Sequence, residues 1–176
     1  DDFTSELLAD HQENPEDLTY KEIESVIYGL SFAGHEIVTN FLSNSLICLF
    51  SNRAQWDEIC KDSSKIENAI EEVLRHNSPQ TSWRRVANED TEIAGIKVPA
   101  GTQIFLSLAS ANNDDEEFPD PRVYDIAREN ASKHISFGRG IHFCLGARLA
   151  TLEANIALET LTKKVPSLDL VPDQDL

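Results

Sequence analysis

The chain has 176 residues, 40% hydrophobic and 26% charged, with 7 Gly and 7 Pro; such a composition can bury a core and excludes general disorder, collagen-like repeats and disulfide-rich scaffolds. Its 31 acidic residues against 15 basic ones give a formal net charge of -16, which argues against nucleic acid or an anionic membrane as the main partner. There is no Met, as expected for a piece of a larger protein.

In chain order, residues 1–18 are acidic and run to an Asn14-Pro15 break. Thr19 and Glu22 then form a capping-box pattern that opens a helix. Ile23, Val26, Ile27, Leu30, Ala33, Gly34, Ile37, Phe41, Ser45 and Leu49 recur at threes and fours, which predicts one helix from Tyr20 to about Ser51, roughly 48 Å long. Gly29 and Gly34 are poor helix formers inside it and call for a reason. A short helix is predicted from Asn52 to Lys61. Ser64 is expected to cap a third, with Ile66, Ile70, Val73 and Leu74 on one face, stopping before Pro79.

From Thr81 the period changes. Trp83, Val86, Thr91, Ile93, Ile96 and Val98 predict short strands around an Ala94-Gly95 turn. Pro99-Ala100-Gly101-Thr102 reads as a tight turn, followed by a strand from Ile104 to Leu108. The stretch from Asn112 to Gly140 is irregular, and a loop of such length is uncommon unless functional. A last helix is predicted from Leu145 to about Lys164, with Leu149, Leu152, Ile156 and Leu161 facing inward.

Cys48, Cys60 and Cys144 contain no Cys-x-x-Cys pair, so neither a disulfide framework nor a zinc cluster is expected, and a reducing compartment is the natural setting. No signal-type leader opens the chain, and no apolar run reaches the roughly 18 residues of a span. A soluble, cytoplasmic protein without membrane association is the expectation.

The chemistry lies in Phe137-Gly138-Arg139-Gly140-Ile141-His142-Phe143-Cys144-Leu145-Gly146. A lone cysteine stands just before a helix, behind two glycines that let backbone turn tightly under a bulky ligand. A thiolate there is favoured by the helix N-terminus and backbone donors. One soft thiolate among apolar neighbours suits the axial position of a haem iron, and Phe137 would shield the sulfur. A buried structural Cys in a glycine loop is the competing reading. It leaves the ordered ten-residue pattern unexplained.

This segment resembles the haem-binding loop of the cytochrome P-450 family, Phe-Gly-x-Gly-x-His-x-Cys-x-Gly, at every fixed position. The resemblance implies that Cys144 is the proximal iron ligand and His142 a partner of a haem propionate, with Phe137, Gly138 and Gly146 completing the cofactor-binding loop. Cys48 and Cys60 are left as core residues. Glu72-Val73-Leu74-Arg75 resembles the family's buried Glu-x-x-Arg element, which braces the haem loop; Arg122 is expected to be its third partner.

Ala33-Gly34-His35-Glu36 resembles the oxygen-activation groove of the same family. There Gly34 would let backbone approach the haem face, Glu36 would be the acid of a proton relay, and a local widening of the helix would hold water. The family usually continues with Thr. This chain has Ile37, then Val38, and Thr39 lies about 200° round the helix from the usual place. Arg85 resembles the strand Arg that binds a propionate. Arg84 is expected in solvent on the opposite face, and Gln80 to Ser82 beside the substrate pocket.

Asp1-Asp2-Phe3 and Val171-Pro172-Asp173-Gln174 also have counterparts in bacterial members. The resemblance therefore spans the chain but covers only the C-terminal, haem-loop-bearing portion of the family fold. It implies a mainly α fold with a small β-sheet, residues 1–176 forming a single partial domain. It further implies a haem-dependent monooxygenase that puts one oxygen atom from dioxygen into a small organic substrate, the fragment alone being inactive. The cofactor it implies is haem b, with electrons expected from NAD(P)H through a ferredoxin or flavin reductase, separate or fused. Residues 131–152 hold Lys133, Arg139 and Arg148 and no Asp or Glu, which suits docking of an acidic redox partner; propionates or helix carbonyls are the alternative partners. Two rival readings are a haem-thiolate protein of another class (sensor, peroxide-using or nonfunctional remnant) and a helical interaction module without haem.

Overall fold

A computed structural model describes residues 2–171; Asp1 and the Pro172-Asp173-Gln174 match lie outside them. The chain divides into two compact units, Asp1–Thr39 and Asn40–Leu176.

The first unit opens with α1 (Phe3–Glu13), a helix that the sequence reading does not assign. No residue of α1 is buried, so it lacks the apolar stripe by which helices are read. It starts on a local cap, the Asp2 carboxylate accepting the Ser5 amide at 2.9 Å. His11 Nδ1 donates to the Leu18 carbonyl at 2.6 Å and its ring lies 4.0 Å from that of Tyr20, which ties α1 back to the next helix. The predicted capping box forms: Thr19 N donates to Glu22 Oε2 at 2.8 Å and Glu22 N to Thr19 Oγ1 at 3.3 Å.

That box opens α2 (Tyr20–Ser51), unbroken over 32 residues as predicted. Of its periodic positions, Ile23, Phe41, Ser45 and Leu49 are buried, whereas Val26, Leu30 and Gly34 are exposed. The helix stays α-helical through Ala33–Glu36, so the expected local widening is not there. Thr39 Oγ1 instead donates back to the His35 carbonyl at 2.8 Å, within the regular spiral.

The second unit holds the core, in which Leu49, Trp56, Ile59, Ile70, Val73 and Leu158 come together. α3 (Arg53–Lys61) follows α2 directly. α4 (Ile66–His76) is entered through a short 3-10 turn, Ser63–Lys65. The expected Ser64 cap does not form: Asp62 caps the 3-10 turn, its Oδ1 accepting both the Ser64 amide at 3.1 Å and the Ser64 hydroxyl at 2.6 Å, and α4 itself follows Lys65 with no side-chain cap bond. The carboxylate wins because one anion can accept two donors at a helix start.

The strands form two antiparallel ribbons. β1 (Ser82–Val86) pairs with β4 (Gln103–Ser107), Arg85 opposite Ile104. β2 (Thr91–Ile93) pairs with β3 (Ile96–Val98) around the predicted turn, where Ala94 and Gly95 both have positive φ, 48° and 81°. The chain then turns at Gly101, with φ 80°. Leu108, expected to end a strand, begins the four-residue α5 (Leu108–Ala111).

The last helix, α6 (Ala147–Lys164), packs on α3 and α4. Its buried residues are Ala147, Ala154, Leu158 and Thr162, with Leu161 partly covered. Leu149, Leu152 and Ile156, expected inside, are 60%, 55% and 58% exposed. The helix carries apolar residues on two faces, and the one with Ala147, Ala154 and Leu158 is the buried one. Among the described residues no helix is long and apolar enough to cross a membrane.

Candidate functional site around Cys144

The segment between α5 and α6 closes into a loop around one thiol. Gly138 and Gly140 sit at φ 73° and 70°, backbone that a side chain would strain. A 3-10 turn follows over Gly140–His142, closed by Phe143 N donating to the Gly140 carbonyl at 3.0 Å. Cys144 N then donates to the Phe137 carbonyl at 2.9 Å, and the Cys144 carbonyl accepts the Ala147 amide at 3.3 Å as α6 begins. Gly146 caps α6 without a side-chain bond. The first amides of that helix therefore keep their field, which favours negative charge nearby.

Cys144 is exposed. Ile141 and Leu145 beside it are 96% and 93% exposed, and Phe143 is exposed too. Phe137 is half-buried against the core, its ring edge-on to Phe143 at 6.3 Å. One thiol flanked by an open apolar surface is the donor set of a haem with a single axial thiolate. Among the described residues no cluster of His, Cys, Asp or Glu offers a competing metal site. Cys48 is buried and its thiol is pushed up to about 11 by that burial; Cys60 is half-buried and also raised by burial. Neither is a thiolate at neutral pH.

The loop thus brings together Phe137, Gly138, His142, Cys144 and Gly146. Arg85 stands elsewhere in the same unit, on β1, exposed, with Nη1 donating to the Arg84 carbonyl at 2.8 Å. No carboxylate pairs with Arg85 among the described residues. Arg84 lies over the Phe105 ring at 5.2 Å. Gly34 and Glu36 belong to the other unit, on the exposed part of α2, where a Cβ on Gly34 would meet no heavy atom within 4 Å. The fold of that unit does not itself require the glycine.

Behind the loop lies the Glu72–Arg75 pair, both side chains fully buried. Arg75 Nε donates to Glu72 Oε2 at 2.7 Å and Nη2 to Oε1 at 2.8 Å. The third member is Arg128, not Arg122: Arg128 Nε donates to Glu72 Oε1 at 3.1 Å, while the Arg122 side chain makes no bond to the pair. Arg75 Nη1 donates to the Pro121 carbonyl at 2.8 Å, so the backbone beside Arg122 faces the network and its side chain does not reach it. Arg128 also donates to the carbonyls of Pro119, Asp120 and Val123 at 2.7, 3.2 and 3.0 Å. Its signal was available: a buried carboxylate keeps acceptor capacity after one bidentate Arg, and Arg128 is one of the few cations in the irregular stretch.

Of the three cations near the loop, Lys133 is paired with Glu117 at 2.6 Å. Arg139 and Arg148 make no ion pair among the described residues. Asn112, fully buried, is a further residue that sequence reasoning passed over.

Residues 60–164 match the Cytochrome P-450 family. The biotin biosynthesis cytochrome P-450 of Bacillus subtilis (strain 168) is 41% identical over 169 residues, covering 96% of this chain and 42% of that protein. The structure of cytochrome P-450 CREJ in complex with (4-ethylphenyl) dihydrogen phosphate superposes with a TM-score of 0.94 at 44% identity, over 98% of this chain and 43% of that one. An intact type IV self-sufficient cytochrome P-450 monooxygenase matches with a TM-score of 0.89 at 41% identity, over 96% of this chain and 22% of that one. This chain belongs to the cytochrome P-450 family, of bacterial type. It spans about 42% of the length of that curated relative, and its mainly helical fold with small antiparallel ribbons is that of the family.

Proposed function

We propose that the complete protein is a haem-dependent monooxygenase in which Cys144 is the proximal iron ligand, and that residues 1–176 are part of a single haem domain. The observation that carries this reading is the exposed Cys144 thiol, set at an uncapped helix start among outward-facing Ile141, Phe143 and Leu145. When bound, haem b supplies the chemistry that puts one atom of dioxygen into a small organic substrate.

The chain's own residues divide the remaining work. Cys144 would bind the haem iron, its backbone fixed through the Phe137 carbonyl. With the cofactor bound, Phe137 would help keep water from the sulfur, and Gly138 and Gly146 would keep the loop free of side chains that could obstruct it. His142 and Arg85 would hold the haem propionates; Arg85 is available because no carboxylate among the described residues pairs with it. Gly34 would leave room for backbone to approach the cofactor, and Glu36 would hold and pass protons. Arg139 and Arg148 offer positive charge to an acidic ferredoxin or flavin domain that relays electrons from NAD(P)H. A related protein is named self-sufficient, which favours a fused donor as one form of this arrangement. The setting we infer is the cytoplasm.

Ile37, in place of the hydroxyl that the family usually has after the acid, favours one variation: turnover that leaks reducing equivalents as peroxide or draws on peroxide directly. The test of the main reading is the reduced carbon monoxide difference spectrum of the complete protein. A band of the thiolate-ligated type, lost in Cys144→Ala, is the expected result. A haem spectrum unaltered by Cys144→Ala overturns the assignment.

A further inference from the structure

We propose that Asn112 and Ser136 are positioning residues that set the Cys144 loop against the end of α4, an inference that rests on Cys144 being the haem ligand. Both side chains are buried, Asn112 completely. Ser136 Oγ donates to the Leu74 carbonyl at 2.6 Å. α4 ends at His76, so this carbonyl lies in its last turn, where helix acceptors have no partner within the helix. Ser136 Oγ in turn accepts from Asn112 Nδ2 at 2.8 Å, and Asn112 Oδ1 accepts the Ile135 amide at 2.8 Å.

Asn112 also touches the ion pair, and the segment that holds Ser136 continues into the Cys144 loop. The Asn112 carbonyl accepts Arg75 Nη1 at 3.0 Å. Beyond Ser136, the Ile135 carbonyl accepts the Gly138 amide at 2.8 Å and the Phe137 carbonyl accepts that of Cys144 at 2.9 Å. Hydrogen bonds thus lead from Glu72 and Arg75 through Asn112 to Ile135 and Ser136, and the covalent backbone of 135–137 carries the connection on to the Phe137 carbonyl that holds Cys144 N. A one-residue slip of the 135–137 segment would break the bonds to Ile135 and Ser136 together, leaving buried polar groups unpaired. The bracing of the loop by the buried ion pair is therefore carried by two neutral side chains.

The experiment uses the complete, haem-loaded protein and follows the rate at which its reduced carbon monoxide adduct loses the thiolate-type band. Ser136→Ala and Asn112→Asp, which each remove the bond between Asn112 and Ser136 as now formed, are expected to speed this loss about fivefold, the factor for about one net hydrogen bond. Ser136→Thr, which keeps the hydroxyl, restores the wild-type rate. Leu158→Ala serves as a control: it lowers the melting temperature through the core but leaves the loss at the wild-type rate below its transition. The proposal is overturned if Ser136→Ala and Asn112→Asp convert at the wild-type rate, or if Leu158→Ala accelerates conversion equally. A wild-type protein without a thiolate-type band would instead refute the Cys144 assignment.

Discussion

Arg128 Nε donates to Glu72 Oε1 at 3.1 Å, completing a buried set in which one carboxylate faces two guanidinium groups. The Glu72 charge is fully desolvated, so it tolerates neither the loss of a partner nor a neutral substitute that cannot donate. Arg128 also gathers three carbonyls of the 119–123 turn. Arg128→Ala should therefore destabilise the protein by about 2–4 kcal/mol, read by denaturant unfolding. Arg122→Ala, a change outside the network, should stay within about 0.5 kcal/mol of wild type. Equal losses in the two variants would return the role to Arg122.

The glycines of the loop make a sharper test of geometry. Gly138 and Gly140 have positive φ, whereas Gly146 sits at φ -86°, where an added methyl group would meet nothing within 4 Å. Gly138→Ala and Gly140→Ala should each cost about 1–2 kcal/mol, and Gly146→Ala much less. Comparing unfolding free energies of the three variants checks this ordering. If Gly146 is nevertheless needed for haem retention, its role is toward the cofactor and not toward the fold.

These differences also mark what a sequence alone discloses. The Phe137–Gly146 pattern, the Thr19–Glu22 box and the Ala94-Gly95 turn are local: each residue acts on neighbours close along the chain, so the order of residues states the geometry. The Arg128 contact joins positions far apart in the chain and depends on which way a backbone turn faces. α6 shows a different limit, because Leu149, Leu152 and Ile156 do recur at helical spacing yet lie on the exposed face. Period identifies an apolar stripe; it does not say which of two stripes meets the core. α1 fails in the opposite sense, being set by one cap with no stripe at all.

Acid should loosen two helix starts. The Asp62 carboxyl is held below the usual range by the Ser64 hydroxyl and amide, and Glu22 by the amide and hydroxyl of Thr19. A carboxylate whose pKa falls on folding stabilises the fold above its unfolded pKa, near about 4, and loses that contribution as pH drops through the lower folded value. Stability should thus decline below about pH 4, and Asp62→Asn should flatten part of that decline. An unchanged acid slope in Asp62→Asn would remove the cap from the account.

Docking of an electron donor should depend on two arginines more than on the lysine beside them. Lys133 is already paired with Glu117, while Arg139 and Arg148 have no ion pair among the described residues. Arg139→Glu and Arg148→Glu should raise the KM for an acidic redox partner, with the effect shrinking as salt increases. Lys133→Ala should matter less. Steady-state reduction at several ionic strengths distinguishes this from general damage, since a folding defect would lower kcat at every salt concentration.

Substitutions around Gly34 on α2 should separate stability from turnover. A Cβ at Gly34 meets no heavy atom within 4 Å, and the helix is regular there. Gly34→Ala should therefore raise stability, by up to about 1 kcal/mol from helix propensity. If Gly34 serves backbone approach to the haem face, the same change should lower turnover while the melting temperature rises. Ile37→Thr addresses the neighbouring position, where Thr39 already spends its hydroxyl on the His35 carbonyl and supplies no substitute. Restoring a hydroxyl directly after Glu36 should raise the fraction of electrons recovered in product and lower peroxide release. Measured together on the complete protein, peroxide and product per NAD(P)H consumed decide the matter: unchanged coupling in Ile37→Thr means that proton delivery here does not use a hydroxyl at that position.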